Sequence, residues 1–117
     1  MNANLDTADH SHSWIAVDFD GTLAHYDGFK GATVLGLPIT PMLARVCAWL
    51  EEGRDVRIFT ARADQPESVE AIKLWCLEHI GVAIPVTNMK DRWMHQLWDD
   101  RAIQVEKNTG RRMDGAL

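Results

Sequence analysis

The sequence has no apolar run that approaches the roughly 18–20 residues needed to cross a bilayer, so we expect no transmembrane helix. Residues 1–13 are polar and acidic and contain no basic segment followed by an apolar one, which argues against a signal peptide. With only 4 Pro and 8 Gly, the chain is neither collagenous nor disordered. Its 117 residues predict one domain that has no membrane partner.

Cysteine is equally scarce. Cys47 and Cys76 are the only two, both fall inside apolar helical patterns, and their spacing is not that of metal ligands. We therefore interpret them as buried thiols in a reducing compartment, which predicts a cytoplasmic protein.

Positive charge is scarce in the first half of the chain. Residues 1–53 hold 2 Lys or Arg against 7 Asp or Glu, whereas residues 54–117 hold 10 of each kind. The net charge of -5 argues against broad electrostatic affinity for nucleic acid or membranes. This charge balance still allows a local cationic pocket formed by residues of the second half. The excess of acidic residues in the first half needs a separate explanation.

Short apolar runs alternate with helical patterns along the chain. A continuous apolar run suits a strand buried on both faces, and apolar residues at i, i+3, i+4 and i+7 suit a helix. The predicted strands are residues 14–17, 56–59, 83–86 and 94–98 with a short edge strand at 103–105, and the predicted helices are residues 41–52 and 66–80. We expect Thr40 to be the N-cap of the first helix and Pro41 to be its first residue.

This order of elements predicts an α/β fold. Strands that alternate with single helices imply right-handed crossovers, and hence a three-layer Rossmann-like sandwich around a central, mainly parallel sheet. The domain is expected to span residues 14–106, between a flexible N-terminal tail at 1–13 and a polar, basic C-terminal tail at 107–117. Ligands bind beyond the carboxyl ends of the central strands in such sheets, so the residues that end the strands are the first candidates for a site.

Three of the predicted strands end directly in polar side chains. These are Asp18 and Asp20 after the first strand, Thr60 after the second, and Asp99 and Asp100 after the fourth. If the strands are parallel neighbours, four carboxylates meet at one edge, and their repulsion is tolerable when a divalent cation lies among them. Carboxylate ligands without His or Cys predict Mg²⁺, which also accepts a substrate phosphate. Lys90 and Arg62 lie where they could bind the remaining phosphate charge.

Each of these features has an ordinary structural explanation when it is taken alone. Residues 20–22 could form a simple turn, and Thr60 could cap the backbone at a strand end. Lys90 could be a solvated surface lysine, and the Asp99-Asp100 pair could be a helix cap or a turn. The ordered set, in which every member follows or adjoins an apolar strand, is what favours a common site.

The ordered set resembles the haloacid dehalogenase-like (HAD) hydrolase superfamily. The first family motif, Asp-x-Asp-Gly-Thr, is present at residues 18–22, and the second, third and fourth are matched by Thr60, Lys90 and the Asp99-Asp100 pair. The resemblance covers about residues 14–106. Neither gap between the first three motifs is long enough for a folded cap domain, so the chain is similar to a minimal, capless HAD-like member.

The resemblance implies a Mg²⁺-dependent phosphatase. Asp18 would be the nucleophile that forms an aspartyl-phosphate intermediate, and Asp20 would be the general acid and then the base. Mg²⁺ would be held by the Asp18 side chain, the Asp20 carbonyl and the Asp99-Asp100 pair, with Asp100 favoured as the direct ligand. The phosphate-binding residues that the resemblance implies are Gly21 and Thr22 of the turn after the first strand, Thr60 and Lys90.

The absence of a cap implies an open site unless an oligomer partner covers it, and an open site admits a large substrate. The phosphatase half of polynucleotide kinases is similar in its motifs, and this likeness implies that Arg62 and Arg101 contact a nucleotide phosphate. His25, beside Tyr26 on a Gly-rich loop, is a candidate for substrate specificity. A nucleotide, a nucleic-acid end and a small phosphorylated metabolite all stay open, as do a non-catalytic phosphate-binding module and a phosphotransferase.

Overall fold

The computed structural model describes residues 12–115, and most of the predicted N-terminal tail lies outside this range. The elements are β1 Trp14–Val17, α1 Thr40–Glu51, β2 Asp55–Phe59, a 3-10 helix Ala61–Asp64, α2 Pro66–His79, β3 Val86–Thr87 and β4 Met94–Trp98. In this part of the chain, no helix has both the length and the apolar character that a membrane span requires.

The four strands form one sheet in the order β3-β2-β1-β4, and every neighbouring pair is parallel. The chain adds β2 and β3 on one side of β1 and then returns to place β4 on the other side. Val17 of β1 is paired with Ile58 of β2 and with Trp98 of β4, so the three strands end side by side. The predicted α/β class is confirmed, with an all-parallel four-stranded sheet and two helices.

The core is built around β1, whose four residues are all buried, as an uninterrupted apolar run predicts. Helix α1 buries Met42 and Val46, and α2 buries Ile72 and Trp75. The Trp75 ring also meets Phe19 edge-on, with 4.9 Å between the ring centroids. Phe19 lies between the two aspartates that follow β1, so this contact anchors the first motif to α2.

Helix α1 begins one residue earlier than predicted. Thr40 is its first residue, Ile39 is the N-cap with an extended backbone, and within residues 12–115 no side chain caps this end. The expected Thr40 cap is wrong because the Ile39 N–H donates to the Leu23 carbonyl at 2.8 Å, which holds Ile39 in the extended conformation. Gly53, with φ of 80°, ends the helix region as predicted.

The third strand is shorter than the predicted 83–86 and lies later, because β3 contains only two residues. Proline has no N–H, so Pro85 cannot donate to a ladder, although its carbonyl accepts from the Ile58 N–H at 2.8 Å. The regular pairing with β2 therefore begins at Val86.

The end of the described chain forms a local turn in place of the predicted edge strand at 103–105. Val105 makes only an isolated antiparallel bridge with Arg112. Between them, the Glu106 carboxylate binds the Arg111 guanidinium at 2.9 Å. Part of the predicted C-terminal tail is therefore paired back on the residues just before it.

Candidate functional site

The carboxyl ends of β1, β2 and β4 open into a cleft of about 1090 Å³. The predicted site residues that line it are Asp18, Asp20, Thr60, Arg62, Asp99, Asp100 and Arg101. The cleft lies between β1 and β4, where the strand order reverses because the chain adds β2 and β3 on one side of β1 and β4 on the other. Ligands bind at this position in open α/β sheets. The strand ends thus bring together the first, second and fourth motifs of the predicted site.

Three carboxylates form the acidic centre of this cleft. Asp18, Asp99 and Asp100 each offer an oxygen that lies within 4.8 Å of the other two. The pKa of Asp18 is raised from 3.8 to about 7, chiefly by burial and then by the charge of Asp99 and a hydrogen bond with Asp100. The acidic centre is therefore strained electrostatically unless a cation or a proton neutralises it.

Thr22 joins the first and fourth motifs. Its hydroxyl lies 3.2 Å from the Asp18 carboxylate and 3.1 Å from the Asp100 carboxylate, and it also accepts from the Asp100 N–H at 2.9 Å. A single hydroxyl proton can serve only one carboxylate at a time, so Thr22 is shared between the two acids. Its role in the structure is to hold the acids in register across the two strands.

Gly21 allows Asp100 to approach the turn closely. Its φ is +87°, which disfavours any residue with a side chain, and a Cβ added here would lie 2.7 Å from a carboxylate oxygen of Asp100. The Asp-x-Asp-Gly-Thr motif therefore has a packing reason for its glycine. The Asp99 carboxylate is oriented separately, because it accepts from the Arg101 N–H at 2.7 Å.

Asp20 points to a different partner from the other acids. Both of its carboxylate oxygens accept from the Arg62 guanidinium, at 2.7 and 3.2 Å. Arg62 also donates to the carbonyls of Gly31, Ala32 and Val34. These five hydrogen bonds equal the five N–H groups of a guanidinium, so Arg62 holds Asp20 and the 31–34 backbone together. Its predicted contact with a substrate phosphate stays a prediction.

Thr60 lies at the end of β2, buried in the wall of the cleft. Its hydroxyl oxygen accepts from the Arg62 N–H at 3.1 Å, and its own N–H donates to the Thr87 carbonyl at 2.9 Å. This local turn directs Arg62 back towards Asp20. The strand-end cap that Thr60 could supply is thus present, at the place predicted for phosphate binding.

Three predicted residues have different surroundings. Lys90 is exposed, is not among the residues that line the cleft, and has no recorded ion pair within residues 12–115. His25 is exposed and lines a smaller neighbouring cavity rather than the cleft itself. Arg101 lines the cleft and is exposed, and its guanidinium forms no ion pair with the acids in the described chain.

The sequence analysis did not single out two aromatic residues of the cleft wall, Phe29 and Phe59. Phe29 lies in an irregular loop, where no apolar period exists to mark it, and Phe59 was interpreted only as part of a strand. No local pattern in the sequence marks either residue as part of a site.

No protein-family model, curated protein or solved structure matches this chain. The interpretation of the site therefore depends on its residues and their geometry. Those residues offer hard oxygen ligands, a shared hydroxyl and an exposed guanidinium around one cleft, which is a combination suited to a divalent cation and a phosphate.

Proposed function

We propose that this protein is a Mg²⁺-dependent phosphatase that cleaves a phosphomonoester through an aspartyl-phosphate on Asp18. The observation that carries the proposal is the convergence of Asp18, Asp99 and Asp100 within 4.8 Å at the carboxyl ends of two neighbouring parallel strands. The first, second and fourth of the motifs that resemble the HAD superfamily lie in the same cleft and support it, as does the strand order around β1. We propose the three-layer, HAD-like arrangement on the same grounds.

The acidic centre fits a divalent cation by its chemistry. Asp18, Asp99 and Asp100 supply only carboxylate oxygens, and burial together with the neighbouring acids raises the pKa of Asp18, which a bound cation would offset. These three residues would hold Mg²⁺, the hard cation that suits such ligands. Once bound, Mg²⁺ supplies the positive charge that lets an anionic nucleophile approach an anionic phosphate.

In the proposed reaction, an Asp18 carboxylate oxygen forms a bond to phosphorus as the bond from phosphorus to the ester oxygen breaks. Asp20 donates a proton to the departing oxygen and then accepts one from the water that attacks the aspartyl-phosphate, which releases phosphate and restores Asp18. Each Asp20 oxygen accepts one hydrogen bond from Arg62, so a second lone pair on either oxygen stays available for the proton. The exposed Arg101 is placed to bind the phosphate charge.

The direct test is phosphate release from p-nitrophenyl phosphate. We expect release in the presence of Mg²⁺, loss of release on addition of EDTA, and recovery when Mg²⁺ is restored in excess. Such a cycle follows from a site whose ligands are carboxylates alone. Release that continues at full rate in EDTA would contradict the metal requirement.

Metal binding is expected to stabilise the fold more at high pH than at low pH. In the metal-free protein, the stability that Asp18 contributes is fully present below its usual pKa of 3.8 and is lost as the pH rises through about 7. Mg²⁺ removes this loss by neutralising the ionised carboxylates. At a Mg²⁺ concentration a hundredfold above its Kd at pH 8, we expect Tm to rise by about 10 °C at pH 8, and by less than half of that at pH 5 at the same concentration.

Thermal unfolding followed by circular dichroism measures this difference, with K⁺ at matched ionic strength as the control for screening. Equal Tm shifts at the two pH values would contradict metal binding at the acidic centre.

A second candidate is a non-catalytic phosphate-binding module on the same fold. The observation that favours it is the position of Lys90, which is exposed and does not line the cleft. Mg²⁺-dependent ligand binding without phosphate release over long incubation would support this candidate. Phosphate that appears on an added alcohol in place of water would instead indicate a phosphotransferase.

A further inference from the structure

Three aromatic side chains line the cleft. Of the nine Phe, Tyr and Trp residues in the chain, these are Tyr26, Phe29 and Phe59, whereas none of the five Trp lines the cleft and Phe19 is buried in the core. Tyr26 is 48% exposed and Phe29 is 63% exposed. We call this pair the aromatic wall. Rings of this size gain free energy by being covered, and these two lie in the lining of the cleft that contains the acidic centre, where they offer a surface on which a flat ligand can stack.

The loop that carries the aromatic wall is anchored to the rest of the domain. Its base is closed by the His25 N–H, which donates to the Leu37 carbonyl at 2.8 Å. From α2, the Ser68 hydroxyl donates to the Ala32 carbonyl at 2.6 Å and the Trp75 indole donates to the Gly36 carbonyl at 2.8 Å. Less ordering entropy is then lost when a ligand binds to rings on this loop.

The Phe29 ring is also held in place by a contact with Arg62. The Arg62 guanidinium carbon lies 5.1 Å from the centre of the Phe29 ring. Arg62 itself is held by Asp20, so the ring is connected to the acid proposed for proton transfer. The aromatic wall and the acidic centre thus belong to one cleft and share one anchoring residue.

The charge of the cleft limits the number of phosphates that a ligand can bring. Its lining contains five Asp and two Arg, which leaves three negative charges in excess. One of the two Arg, Arg62, already uses all its N–H donors in hydrogen bonds to Asp20 and to backbone carbonyls. One divalent cation would still leave the cleft acidic. Polyphosphates and nucleic-acid strands need several cationic contacts along their backbone, and this cleft offers the guanidinium of Arg101 alone among its described lining residues.

We infer that the substrate is a nucleoside monophosphate, whose base stacks on Tyr26 and Phe29 while its single phosphate meets Asp18 and the acidic centre. This inference rests on the proposed function. A flat base matches the exposed rings, because stacking on aromatic side chains tolerates any base, and a single phosphate matches the limited positive charge. Phosphorylated oligonucleotide ends, nucleoside triphosphates and sugar phosphates are correspondingly poor substrates.

The test compares kcat/KM for adenosine 5′-monophosphate and for ribose 5-phosphate, which carries the same phosphate on the same sugar without the base. We expect adenosine 5′-monophosphate to be favoured at least tenfold over ribose 5-phosphate, over adenosine 5′-triphosphate and over a 5′-phosphorylated oligonucleotide. Tyr26→Leu and Phe29→Leu should each reduce kcat/KM for adenosine 5′-monophosphate about tenfold, through KM, and change it less than twofold for ribose 5-phosphate.

Phe29→Trp should retain the preference because it restores a stacking surface. Leu37→Ala is the matched control, since Leu37 is a 73% exposed apolar residue of the same loop that does not line the cleft, and it should leave both rates unchanged. Equal kcat/KM for the nucleotide and ribose 5-phosphate, or equal losses on both in Phe29→Leu, would overturn the inference and leave the phosphatase proposal standing.

Calorimetric titration in Mg²⁺ separates the remaining outcomes. Tighter binding of adenosine 5′-monophosphate than of ribose 5-phosphate, with no phosphate released from either, would support the nucleotide inference and overturn the catalytic proposal. Failure of both ligands to bind and to react would overturn the nucleotide inference, and would overturn the phosphatase proposal as well only if p-nitrophenyl phosphate also releases no phosphate.

Discussion

Asp18→Asn is expected to abolish phosphate release, with a loss of at least a thousandfold in kcat, while it stabilises the metal-free fold. The amide cannot form an aspartyl-phosphate, so the loss follows from the chemistry of the nucleophile. The amide oxygen can still accept from Thr22, which preserves the local geometry. Removal of one charge from the acidic centre should raise the free energy of unfolding at pH 8 by about 1–2 kcal/mol, a figure reduced from the full pKa shift because Asp18 is partly solvated.

Asp55→Asn is the matched control for this variant. Asp55 is an exposed aspartate at the amino end of β2, the opposite edge of the sheet, where it pairs with Arg57. The same chemical change there should leave turnover intact and alter stability by less than about 1 kcal/mol. Turnover by Asp18→Asn within tenfold of the wild-type rate would contradict the assignment of Asp18 as the nucleophile. If this variant had a lower Tm than the wild type in metal-free buffer at pH 8, the proposed repulsion among the carboxylates of the acidic centre would be wrong.

Arg62→Met is expected to be the most destabilising single change among the site residues. The Arg62 side chain is only 6% exposed, and its removal leaves the Asp20 carboxylate and three backbone carbonyls without their donors. Breaking a buried ion pair on one side costs about 3–5 kcal/mol, which corresponds to a fall in Tm of about 10–20 °C for a domain of this size. Thermal and urea unfolding followed by circular dichroism measure the change.

Two further variants separate the cause of this loss from a general effect of losing an arginine. Arg111→Met breaks an exposed pair with Glu106 and should cost no more than about 1 kcal/mol. Asp20→Asn in the Arg62→Met background should recover part of the stability, because it removes the uncompensated carboxylate. If Arg62→Met and Arg111→Met unfold at the same temperature, the proposed role of Arg62 is wrong.

The parts of the fold that the sequence predicted well are those with a strong local signal. The run at residues 14–17 is apolar without interruption, and its strand is buried throughout. Pro66 and Gly81 bracket a helical pattern, and α2 begins at Pro66 and ends at His79. The acids after the first and fourth strands could be placed at one edge because parallel strands bring their carboxyl ends together, and Asp18, Asp99 and Asp100 do meet there.

The features that could not be predicted depend on partners distant in the chain. Arg62 was predicted to contact a phosphate. In the structure its N–H donors all bind Asp20 and carbonyls of residues 31–34, and these bonds depend on how an irregular loop folds. Thr40 has the chemistry of an N-cap, yet the Leu23 carbonyl fixes Ile39 in that position. Lys90 has no apolar pattern around it that would determine where its side chain goes.

The central position of β1 has a consequence for synthesis on the ribosome. The acidic centre joins Asp18, which follows the first strand of the described chain, to Asp100, which follows its last strand, β4. Until residue 100 has been added to the nascent chain, β1 has no β4 with which to pair, and Thr22 cannot contact Asp100. The proposed cation site would therefore be complete only after β4 has paired with β1, and products that end before Asp99 would lack it.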